Sequence, residues 1–111
     1  MINQLVLFQK MYDFILYIYP IIDRIPKSHR LVLGREIEKL SIKILLLIIK
    51  ANQKSVDDRH FIQEKISTKV NALRILFRLT KDLKFISINQ YELLSKKLNE
   101  IGKFLYCWSK I

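Results

Sequence analysis

Residues 91–108 carry Tyr91, Leu94, Leu98, Ile101, Leu105 and Trp108 at alternating three- and four-residue intervals. That spacing puts all six on one stripe of an α-helix, whereas a strand would scatter them over both faces. Leu33, Ile37, Leu40, Ile44, Leu47 and Ala51 repeat the pattern in an earlier segment. A helix with one apolar stripe is stable only against neighbours, so the pattern calls for a bundle. Two glycines and two prolines leave little room for the turns of an all-β fold, and 50% hydrophobic residues suffice for a core. The chain reads as one all-α domain, residues 1–111.

Four helices are expected, at about residues 3–23, 30–52, 57–84 and 87–109. In the first, Leu5, Phe8, Tyr12, Ile15 and Tyr19 form one stripe, with Leu7, Phe14, Ile18, Ile21 and Ile22 beyond it. Pro20 should kink or end this helix, and Pro26 disfavours helix at Ile25. The stretch "IPKSHRLVLG" is then a joint, with Ser28 as N-cap of the second helix. Ser55 with Asp58 resembles a capping pair, and Ser87 with Gln90 spells a capping box. In the third helix Ile62, Ile66, Val70, Leu73 and Phe77 make one stripe, which Phe61, Ala72, Ile75, Leu76, Leu79 and Leu83 widen.

Short connections favour an antiparallel up-down-up-down four-helix bundle. No helix is central in such a bundle, so apolar surface beyond one stripe is surplus. Phe14, Ile18, Ile75, Leu79, Leu93 and Phe104 are the candidates for that surplus, which points to a homo-oligomer.

Chemical motifs are missing. His29 and His60 belong to no zinc-binding pattern, and one cysteine, Cys107, allows neither an intrachain disulfide nor a metal cluster. Gly34 and Gly102 form no phosphate-cradling loop. Asp57 and Asp58 sit at a helix start, where carboxylates favour the dipole. No enzyme, metal or cofactor is expected. A reducing cytoplasm suits the lone cysteine, and the N-terminus lacks the features of a signal peptide. The longest apolar run, Phe14–Ile22, falls short of the roughly 20 residues that a membrane span needs.

Net charge is the feature that speaks of partners. It is +10, with the excess concentrated in residues 59–111. Such a surface attracts polyanions at long range. Arg74, Arg78 and Lys81, with Lys84 just beyond, lie at helical spacing on one face with few acidic neighbours, and are the principal phosphate candidates. Lys27, Arg30 and Arg35 at the joint come second. The aromatic side chains are assigned mostly to the core, so base stacking is only a minor expectation.

"YPIIDRIPKSHRLVLGREIE" and "ALRILFRLTKDLKFISINQYELLSKKLNEIGKFLYCW", with the lengths between them, resemble one family. Its members are small four-helix-bundle proteins that include Avd, the accessory variability determinant of diversity-generating retroelements. Proteins encoded by 23S rRNA intervening sequences are similar. The resemblance runs from about Tyr12 to Trp108. It implies a homopentameric barrel with a basic surface. It further implies binding to a reverse transcriptase and to RNA or an RNA/DNA hybrid, in support of mutagenic copying of a template RNA. An orphan protein of the rRNA intervening-sequence type, acting as a structural or protein-interaction module, is the alternative.

Overall fold

The computed structural model describes residues 2–110. The chain forms α1 (Ile2–Asp23), a short α2 (Lys27–His29) running into a π-helical turn (Arg30–Gly34), then α3 (Arg35–Asn52), α4 (Val56–Asp82) and α5 (Ile88–Ser109). No strand occurs among the described residues. Helix α1 packs on α3 and α5, and α4 packs on the same two, so the four long helices enclose one core. Phe14 and Phe77 close it across the middle, edge to face, with ring centroids 6.0 Å apart.

The core stripes of α3, α4 and α5 follow the sequence. Ile37, Ile44, Leu47 and Ala51 are buried, as are Ile62, Ile66, Val70, Leu73 and Phe77, and Leu94, Leu98, Ile101, Leu105 and Trp108. Each fully buried Leu, Ile or Phe contributes about 1.5–3 kcal/mol by leaving water. Two hydroxyls enter this core without cost in lost hydrogen bonds. Ser41 donates to the Ile37 carbonyl at 2.8 Å and Thr80 to the Leu76 carbonyl at 2.7 Å, each one turn back.

Helix α1 is turned from the expected orientation. Its core face is Leu7, Met11, Phe14, Ile18, Ile21 and Ile22, while Leu5, Tyr12 and Tyr19 are exposed. Met11 completes a 4-3-4 spacing through Leu7, Phe14 and Ile18, which is the better seam. Phe14 and Ile18 are therefore buried within the protomer and do not belong to a surplus apolar surface. On α1 that surface is Leu5, Tyr12, Leu16 and Tyr19. Ile75, Leu79 and Leu93 are exposed and Phe104 is half-buried. Ile42, Leu46 and Ile49 expose further apolar surface on α3, which the single stripe of that helix did not announce.

Helix α1 runs through Pro20 to Asp23 instead of ending there. The ring sits one turn from the helix end on the exposed side, so the lost backbone bond is close to solvent. Averaged over its length, Leu5–Asp23 is long and apolar enough to cross a bilayer, with mean hydropathy 1.4, although no unbroken apolar run shows it. Here its apolar face packs against α3 and α5.

The caps decide the joints. Pro26, not Ser28, stands at the N-cap of α2, and its carbonyl accepts from His29 and Arg30. Ser55 accepts from the Asp58 amide, and Ser87 and Gln90 form the reciprocal capping box at 3.0 and 2.9 Å. Helix α4 ends in a Schellman motif, in which Phe85 donates to the Thr80 carbonyl at 3.0 Å and Lys84 to that of Lys81 at 2.8 Å. Lys84 takes the left-handed conformation there, with φ 67°, where glycine is the usual residue.

Gly34 ends the π turn because two elements meet on it. A Cβ there would stand 2.9 Å from Ile22 Cγ2 and 3.1 Å from Arg30 Cγ. The extra residue in the π turn and the missing side chain together let the chain fold back closely against α1.

Candidate nucleic-acid interface

The expected strip on α4 divides in the structure. Arg74 is half-buried. Its guanidinium turns onto α5, donating to the Asn99 side chain and at 3.4 Å to the Leu98 carbonyl. Its Nη2 lies 2.8 Å from the position of a Cβ on Gly102, so it occupies the gap that this glycine leaves. Its Nε is buried without a partner. Arg74 thus links α4 to α5, and part of its donor fork is already taken by Asn99 and the Leu98 carbonyl.

Arg78 is exposed, but its Nε lies 3.9 Å from Asp82. Lys81 lies 3.1 Å from the same carboxylate and 4.7 Å from the centroid of the Tyr91 ring. One carboxylate therefore serves two of the cations. Exposed pairs of this kind contribute at most about 1 kcal/mol and open readily to a competing phosphate.

At the joint, Lys27 and Arg35 are exposed. Arg30 donates to the Asp23 carbonyl at 2.8 Å, closing the end of α1, so only part of its donor fork is free. The imidazole of His29 lies against Phe85 at a tilt of 34°, with ring centroids 4.7 Å apart. This contact brings the joint against the α4–α5 turn, where Lys81 and Lys84 border a cleft of about 700 Å³. The two basic constellations, far apart in sequence, thus share one end of the bundle without Arg74.

A third basic surface was not expected from the sequence. Lys43, Lys50, Lys65 and Lys69 line one groove of about 480 Å³ between α3 and α4. Glu64 is the only carboxylate among the groove-lining residues, and among the described residues none of the four lysines makes an ion pair. Lys43 and Lys50 are seven residues apart on one helix, Lys65 and Lys69 four apart on the other, so each pair shares a face. That spacing was visible in the sequence. The pairing of the two faces was not.

On the α4–α5 side, a cleft of about 680 Å³ has Arg74, Asn71, Lys103 and Gln63 in its wall. Gln63 is buried, and both polar atoms of its amide are without a partner. Farther round, Lys10 donates to Glu100 and so holds that carboxyl below its usual range, helped by the charges of Lys97 and Lys96. Among the described residues no cluster of His, Cys, Asp and Glu is placed to hold a metal ion.

The geometry is a helical bundle with cations along several edges, and residues 5–111 match the family model described as bAvd-like. The chain belongs to the bAvd-like family. No curated protein and no solved structure gives a significant match.

Proposed function

We propose that the chain is a non-enzymatic accessory protein of a diversity-generating retroelement. It binds the element's reverse transcriptase and the template RNA or its RNA/DNA hybrid, and it supports mutagenic reverse transcription in the cytoplasm. The observation that carries this reading is the bAvd-like family match across residues 5–111. The +10 charge and the cation-lined edges fit a partner rich in phosphate.

The protomer is taken as an antiparallel up-down-up-down bundle. Arg59 against Trp108, Arg74 against Asn99 and Lys81 against Tyr91 support it, since the contacts rise along α4 as they descend α5. Five protomers form a barrel. Leu5, Leu16, Leu46 and Ile75 are exposed apolar side chains that such an assembly would cover. Repeated around the ring, the lysines and arginines hold phosphates by counterion release and read no base edges. The cations at the bundle end, Lys27, Arg35, Lys81 and Lys84, together with Arg78, are freer than Arg74 to take that role.

Native mass spectrometry and a salt titration of RNA binding test the reading. It requires a pentamer and an affinity for structured RNA that falls steeply with salt. A monomer, or no RNA binding at low salt, contradicts it.

A further inference from the structure

The groove between α3 and α4 holds, beside its four lysines, an exposed aromatic ring. Phe61 is 65% exposed, although its neighbour in sequence, Ile62, is buried in the core. Exposing a phenyl ring at the second turn of a helix forgoes its burial, so the ring is available for another surface. The Lys65 ammonium lies 4.6 Å from the Phe61 centroid, a cation–π contact that covers part of the ring and holds the cation beside it. Lys43 and Lys50 stand on the opposite wall, with Leu47 between them. Lys43 to Lys50 spans about 10 Å along α3, at 1.5 Å per residue. The lysine side continues along α3 to Lys39, which borders an adjoining cleft together with Lys43 and Lys69.

We propose that this groove binds a short single-stranded segment of nucleic acid, with one base stacked on Phe61 and the flanking phosphates held by Lys43, Lys50, Lys65 and Lys69. The inference rests on the nucleic-acid-binding part of the function above and assigns to it a site and a mode. Cations on both walls with a flat ring on the α4 wall suit a polymer that alternates phosphates with planar bases. A duplex keeps its bases stacked inside and offers nothing to the ring. Glu64 faces the same groove, and its single charge leaves the surplus positive. The aromatic residues were expected mostly in the core, and Phe61 is an exposed one that stands beside the lysines of this groove.

The test is fluorescence anisotropy with a labelled single-stranded RNA 12-mer and the corresponding duplex, titrated across potassium chloride concentrations. It uses the intact protein, Phe61→Leu and the double variant Lys43→Gln/Lys69→Gln, with native mass and thermal melting recorded for each. Stacking on an aromatic ring accounts for about tenfold in affinity. Phe61→Leu should therefore weaken single-strand binding by about tenfold with an unchanged salt slope, and leave duplex binding alone. The lysine variant should reduce the slope for the single strand by about 1.4, at roughly 0.7 for each phosphate that is no longer neutralised. Equal affinity of Phe61→Leu and the intact protein for the single strand overturns the proposal, even where RNA binding itself persists. A changed number of protomers in Phe61→Leu also overturns it, because the ring is then covered by a second copy. Absence of RNA binding by the intact protein is a different result, and it removes the underlying function instead.

Discussion

Arg74 reaches across from α4 to fill the space over Gly102 on α5, with its Nη2 2.8 Å from where a side chain on that glycine would begin. The pair explains why an arginine that looks exposed in sequence is a structural part of the bundle. It also separates two cations that a helical wheel treats alike.

Arg74→Ala removes the hydrogen bonds to Asn99 and the Leu98 carbonyl. Bonds from a charged donor are each worth about 1.5–3 kcal/mol, and partial exposure of Arg74 brings the expected loss to about 1–2 kcal/mol. Arg78→Ala, which loses only a 3.9 Å surface pair, should lie within about 0.5 kcal/mol of the parent. Urea denaturation of the two variants gives the comparison. Equal effects would show that Arg74 is no clamp.

Gly34→Ala should cost about 1–3 kcal/mol, since the new Cβ meets Ile22 at 2.9 Å inside the packed joint. Gly102→Ala is milder, because the atom it meets is the end of a long side chain that can swing away. Its signature is a release of Arg74, seen as altered chemical shifts at Asn99, with a smaller drop in melting temperature than Gly34→Ala.

Lys84→Gly should stabilise the protein by about 0.5–1 kcal/mol. Left-handed backbone costs a side-chain-bearing residue about 1–2 kcal/mol. Glycine removes that strain and gives back about 0.5–1 kcal/mol through the freer unfolded chain. The same change deletes a cation from the basic end of the bundle. Stability by denaturation should therefore rise while the proposed RNA affinity falls, and a fall in both would contradict the assigned strain.

Much of the fold can be read from spacing. The stripes of α3, α4 and α5 and the Ser87 cap depend on intervals along one helix, and they stand in the structure. Rotation of α1 is less legible. Its apolar residues cover much of the circumference, and only the Met11 link selects the inner face. The sites are less legible still, because whether a cation is free depends on the helix beside it. Arg74 is taken by Asn99, Arg30 by Asp23, and the two lysine faces of α3 and α4 meet only in the folded chain.

The Glu100 carboxyl sits below its usual range chiefly through the hydrogen bond from Lys10 and then through its charge. A lowered carboxyl favours folding above the unfolded-state value and loses that contribution as the pH falls through the folded one. Lys10→Met should raise the Glu100 value toward the ordinary carboxylate range, measured by carbon-detected NMR titration. An unchanged titration midpoint would deny the pairing.

The proposed accessory role stands or falls on copying of a template RNA by the reverse transcriptase of the retroelement proposed to encode this protein, measured with and without it. Full-length cDNA with frequent errors at template adenines should form only when the protein is present. Equal yield and equal error at adenines in its absence would contradict the role.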